Sequence, residues 1–156
     1  MSYATPDDLQ ARCLERDLIA ITDETNQAVD VTRLQTALDD ASAEIDGYLG
    51  VRYVVPLVDI DLGTPIVPPL LLVRACCDIA LYNLQSLRPA DDIKDALNRY
   101  NAALKMLRLM STGDVQISNA QLLDGQATFP TDASQSPGSV EFVAPRHPDT
   151  FGRRHR

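Results

Sequence analysis

Tryptophan is absent, and histidine occurs only as His147 and His155, both in a stretch rich in Ser, Thr, Pro and Gln. A catalytic base must be held in a fixed geometry, and a structural metal needs a rigid set of further ligands. This stretch offers neither, so no histidine-based active site and no metal site is expected. Cysteine is limited to Cys13, Cys76 and Cys77. Neighbours on a helix point about 100° apart, so Cys76 and Cys77 do not readily bridge, and no C-x2-C spacing is present to suggest zinc. Buried, reduced thiols in a reducing compartment are the expectation. Neither GxGxxG nor GxxxxGK[ST] occurs, which removes the common phosphate-cradling loops. No nucleophile–base pair is recognisable, so no enzyme and no cofactor is expected.

Basic residues are scarce as well. Lys and Arg number 14 against 22 Asp and Glu, a formal charge of −8. Through Gly113 there are 17 acidic and 10 basic residues, a net of −7; the remainder has 5 and 4, a net of −1. Tight binding to a nucleic-acid backbone needs clustered Lys and Arg, which the body lacks. "MSYATPDDLQ" has neither a basic start nor an apolar block, so no secretory leader is expected. The most apolar stretch, "IVPPLLLVRACCDIALYNL", is interrupted by Pro68, Pro69, Arg74 and Asp78. It suits a buried helix better than a membrane span, with Arg74 and Asp78 paired at i,i+4 on its exposed edge.

Apolar residues make up 45% of the 156-residue chain, enough for a core. The pattern predicts a mainly α domain of four helices over 1–113, followed by an extended or conditionally ordered tail over 114–156. The first helix starts at Thr5 as N-cap, with Pro6, Asp7 and Asp8 suited to its first turn, and runs to about Arg16. "DLIAITD" is expected as an apolar connection and "DETNQAVD" as a polar loop. The second helix covers Thr32 to Leu49, with Leu34, Ala37, Leu38, Ala41, Ile45, Tyr48 and Leu49 on one face. A crossover loop with a short strand or hairpin follows, punctuated by Pro56, Gly63, Pro65, Pro68 and Pro69. The third helix, about Pro69 to Leu87, is apolar nearly all round and is expected at the centre. The fourth runs from about Asp91 to Thr112 and stops at Gly113. Its main stripe is Ile93, Leu97, Tyr100, Leu104 and Leu107. A second stripe of Ala102, Met106, Leu109 and Met110 lies nearly opposite and is expected to pack on another subunit or partner.

The carboxylates of "DDASAEIDGYLG" divide between two flanks of the second helix, Asp40 and Glu44 on one, Asp39 and Asp46 on the other. At i,i+4 like charges repel, so they read as solvated flanks or partners for a neighbour's Arg and not as an acid–base pair. "DID" at Asp59 to Asp61 lacks the regular further oxygen ligands of a cation loop. Arg52 and Tyr53 have two open readings: fixing the helix-to-loop corner, or contacting a neighbour, since both residue types are enriched at interface hot spots. Arg146, Arg153 and Arg154 give the tail a basic end suited to docking on an acidic protein surface.

"LIAITD", "DASAEIDGYLGVRYVVPL", "PPLLLVRACCDIALYNL" and "RYNAALKMLRLMSTGDVQI" stand in the order and spacing of a family of Mu-like tailed-phage and prophage virion proteins, which resembles the head–tail connector (adaptor, head-completion) proteins. The resemblance runs from about Tyr3 to Ile117. "RCLERDL" departs from it at Cys13-Leu14, where similar sequences tend to have Phe-Gly. The resemblance implies a structural virion protein at the head–tail junction, assembled in the bacterial host cytoplasm. Copies would form a ring, twelvefold in the virion, between the portal protein and a tail-side completion or terminator protein. DNA would be only passing cargo and no membrane would be involved. A ring that forms only on the portal leaves the purified chain monomeric. The alternative is a small helical DNA-packaging or regulatory DNA-binding protein, which would need a basic helix face that the body does not provide.

Overall fold

The computed structural model describes residues 2–23, 25, 27–87 and 93–123, and among them five helices. These are α1 (Pro6–Gln10), α2 (Glu15–Thr22), α3 (Val31–Leu49), α4 (Leu70–Leu87) and α5 (Lys94–Thr112). The mainly α class is as predicted, but the first predicted helix is two. Thr5 caps α1 through a reciprocal box with Asp8, and Leu9 is buried. The helix then ends at Gln10, and a turn leads to α2. "DLIAIT" is part of that helix and not a connection: Leu18, Ile21 and Thr22 are buried at helical spacing.

Helices α3, α4 and α5 form the central bundle, with α4 packed against both others. Asp30 opens α3 by accepting from the Thr32 and Arg33 amides at 2.9 and 3.2 Å. The predicted apolar face of α3 is buried apart from half-buried Tyr48. On α4 the buried positions run round most of the helix, from Leu72 to Leu84. Cys76 and Cys77 are among them, while Cys13 is half-buried. Each fully buried Leu or Ile contributes about 1.5–3 kcal/mol of transfer free energy, so this three-helix core dominates stability. Ser42 ties the start of the chain to it. Its hydroxyl donates to the Leu38 carbonyl at 2.7 Å and accepts from the Tyr3 amide at 3.1 Å. Arg74 and Asp78 pair at 3.6 Å as expected.

On α5 the buried face is Ala96, Ala103, Leu107 and Met110, turned from the predicted stripe. Tyr100 stacks on Tyr82 at 4.4 Å between centroids. The small Ala96 and Ala103 occupy buried positions on this face, while Leu97 is exposed and Leu104 only half-buried. The predicted start at Asp91 lies outside the described residues.

The crossover loop forms isolated antiparallel bridges and, among the described residues, no strand. Val58 pairs with Pro65, Asp59 with Ala120 and Tyr53 with Leu122. Residues 57–66 thus make a small hairpin, and 119–123 lie along its other side. The body therefore continues past Gly113: Ile117 and Ala120 are buried. Every described residue belongs to one compact unit.

Candidate subunit interface

Arg52 and Tyr53 follow α3 directly. The structure places both inside the fold, with Arg52 only 7% exposed. The Arg52 guanidinium lies over Gly113, the left-handed C-cap of α5 with φ 91°. A Cβ on Gly113 would sit 2.6 Å from the guanidinium carbon. The Tyr53 hydroxyl accepts from the buried Ile117 amide at 3.1 Å. The two residues thus join the end of α3 to the end of α5 and the segment after it.

Ala102, Met106, Leu109 and Met110, grouped in the sequence as one outward stripe, occupy different environments. Met110 is 2% exposed and belongs to the core, whereas Leu109 is 38% exposed. Ala102 and Met106 line an open cleft of about 220 Å³ between α4 and α5. Leu71, Ala75 and Ala103 complete its apolar wall, and Arg74, Asp78 and Arg99 stand at its polar side. A second cleft of about 470 Å³ lies between Ile21 of α2, the first half of α3 and the end of α4, with Arg33, Asp40 and Asn83 in its mixed lining. Arg146, Arg153 and Arg154 lie outside the described residues.

A further apolar surface lies on the crossover loop, where the sequence predicts a short strand or hairpin but no exposed apolar tip. Ile60 and Leu62 stand exposed at the tip of the 57–66 hairpin, Leu62 at 74%, with Val67 and Leu70 exposed at its base. Four aliphatic residues within a Pro- and Gly-punctuated stretch were the available signal. The tip is firmly built. The Asp59 amide donates to the Thr64 carbonyl at 2.8 Å, and Ile66 donates back to Leu57 at 3.1 Å. One Asp59 carboxylate oxygen accepts from the Asp61 and Leu62 amides at 2.8 and 3.1 Å. Asp59 is thus engaged in shaping a turn.

The carboxylates of α3 split by flank, and each flank holds a tyrosine. Glu44 accepts from the Tyr100 hydroxyl at 3.0 Å, and Asp46 accepts a short bond from Tyr3. Asp39 accepts from Gln35 at 2.9 Å, and Asp40 is exposed. Burial, with the bond to Glu44 second, pushes the Tyr100 hydroxyl up to about 12. Burial also raises Tyr3, reinforced by Asp46, and lifts the Cys77 thiol to about 12. Protonated donors held by carboxylates are architectural ties. Among the described residues, no group of three or more His, Cys, Asp or Glu side chains is placed to hold a metal.

Residues 3–134 match the protein family described as Bacteriophage Mu, Gp36. The chain belongs to that family. Among its relatives are the Mu-like prophage FluMu protein gp36 of Haemophilus influenzae, 36% identical over 58% of this chain, and gene product J of Escherichia phage Mu, 38% identical over 60%. The matched regions span 57% and 62% of those two relatives. This is a protein of a Mu-like phage or prophage family.

Proposed function

We propose that the protein is a structural component of the phage particle: a head–tail connector whose copies form a ring joining the portal to the tail and continuing the DNA channel. The observation that carries this reading is the amount of aliphatic surface left uncovered on a well-packed helical body. The exposed hairpin tip and the α4–α5 cleft lie on different parts of one chain. A self-complementary pair would bring like surfaces together, whereas unlike surfaces on one chain favour head-to-tail contacts, the kind that makes a ring when the rotation between copies closes. Membership of a Mu-like phage family supports the setting. The acidic composition suits a passage through which DNA slides without sticking. The reading assigns no catalytic chemistry; its partners are other copies, the portal and a tail-side protein.

Deletion of the gene tests it. Particles lacking the protein should contain DNA-filled, unstable heads that fail to join tails. Normal infectious particles from the deletion would remove the reading.

A further inference from the structure

We infer that the tip of the 57–66 hairpin of one copy seats in the α4–α5 cleft of the next. The inference rests on the connector reading for its occupant, a second copy of this chain, and adds the surfaces that meet. Shape supplies the first argument. A cleft of about 220 Å³ exceeds the roughly 150 Å³ that holds a benzene-sized apolar group, so it has room for one or two aliphatic side chains. Ile60 and Leu62 are such side chains, presented on a turn already fixed by Asp59 and by the Thr64 pairing. A preorganised knob loses little conformational freedom on docking.

Charge supplies the second argument. Asp61 is exposed between the two aliphatic residues. Across the cleft stand Arg74 and Arg99 with the single acid Asp78, which Arg74 meets at 3.6 Å. The polar side of the cleft therefore carries a net positive charge of one (two bases minus one acid). An acidic tip with apolar flanks matches an apolar cleft with a basic rim, and such matching sets orientation and suppresses wrong partners. Among the described residues, none of the hairpin lines the cleft of its own chain. Knob and hole are built from different residues, so the contact is heterologous and each copy uses both.

Disulfide trapping of the full chain tests the contact even where it is weak. In a Cys13→Ser background, where Cys76 and Cys77 are buried, a Leu62→Cys protein is mixed with an Ala102→Cys protein under mild oxidation. The control partner carries Ala43→Cys, at an exposed position on α3. Circular dichroism melts establish that each variant is folded. The matched pair should cross-link about tenfold faster than the control, the factor given by a contact of modest free energy. Asp61→Arg should remove most of that advantage, and Arg99→Asp in the cleft partner should return part of it. Equal rates for the matched and control pairs would mean that the cleft takes another occupant, and would overturn the inference. The connector reading would survive that result, because it stands or falls on the deletion particles.

Discussion

The guanidinium of Arg52 occupies the space where a side chain on Gly113 would begin. Gly113 is therefore constrained twice, by its φ of 91° and by its neighbour. Gly113→Ala should destabilise the fold by about 2 kcal/mol, combining left-handed strain with the steric clash. Adding Arg52→Ala should relieve the clash and leave the strain. The double mutant should then be more stable than the sum of the single costs by about 1 kcal/mol. Urea denaturation of the four proteins measures this coupling.

The bond from Ile117 to Tyr53 gives a second expectation. Both groups are buried, so Tyr53→Phe leaves the Ile117 amide without its acceptor. The cost should be about 1–3 kcal/mol. Hydrogen exchange should accelerate first around residues 115–123, ahead of the helical core, because that segment loses its anchor. Uniform acceleration throughout the body would contradict this local role.

Neighbouring positions on α5 should respond very unequally to charge. Leu109→Glu should change stability by about 1 kcal/mol or less, since the side chain already meets solvent. Met110→Glu should cost more than about 3 kcal/mol, because it places a carboxylate in the core. Thermal melts of the two variants decide the matter. On the connector reading, the folded Met106→Glu, Leu109→Glu double mutant should lose its native assembly state.

Alkali should loosen the molecule. Tyr100 and Cys77 are each pushed up to about 12 from ordinary values of 10.0 and 9.0, mainly by burial. The fold favours their protonated forms, so the unfolded chain binds fewer protons as pH rises. The stability these groups contribute is complete below their ordinary values and is lost as pH climbs through about 9 towards 12. Melting temperatures at pH 7, 10 and 11 should fall in that order. Tyr100→Phe keeps the ring on Tyr82 and gives up the bond to Glu44. It should begin about 1 kcal/mol less stable and decline less steeply with pH.

What was legible in the sequence followed how strongly each segment repeats. The face of α3 could be read because seven apolar residues recur at helical spacing across a single polar background. For α4, the nearly continuous apolar run pointed to the centre. By contrast, α2 was hidden by its length and by Ile19, Ile21 and Thr22, whose β-branched side chains favour extended backbone. The rotation of α5 was illegible because its buried face includes Ala96 and Ala103, small residues that weigh little in a periodic pattern. Tyr82 on another helix then fixes where Tyr100 must sit. The same rotation divides the predicted outer stripe between cleft, surface and core. Arg52 and Tyr53 stood out as unusual, but only the fold brings Gly113 and Ile117, some sixty residues later in the chain, up against them. Exposure of the hairpin tip was also invisible, since alternation and proline punctuation do not reveal which side chains a turn turns outward.

The pairing of residues 52–58 with 121–123 determines how the body would carry a mechanical load. Val54 donates to the Gln121 carbonyl, Gln121 to Val58, and Leu123 to Arg52, each at 2.9 Å. Tension applied at Leu123 would reach these three bonds before it reached the last turn of α5. The Leu123–Arg52 bond meets it first, and the two bonds at Gln121 stand behind it. The force then passes into the C-terminal end of α3 and through its buried face to α4. A pull on this end of the domain is thus delivered first to the segment that follows α3, and only after those bonds part to the last turn of α5.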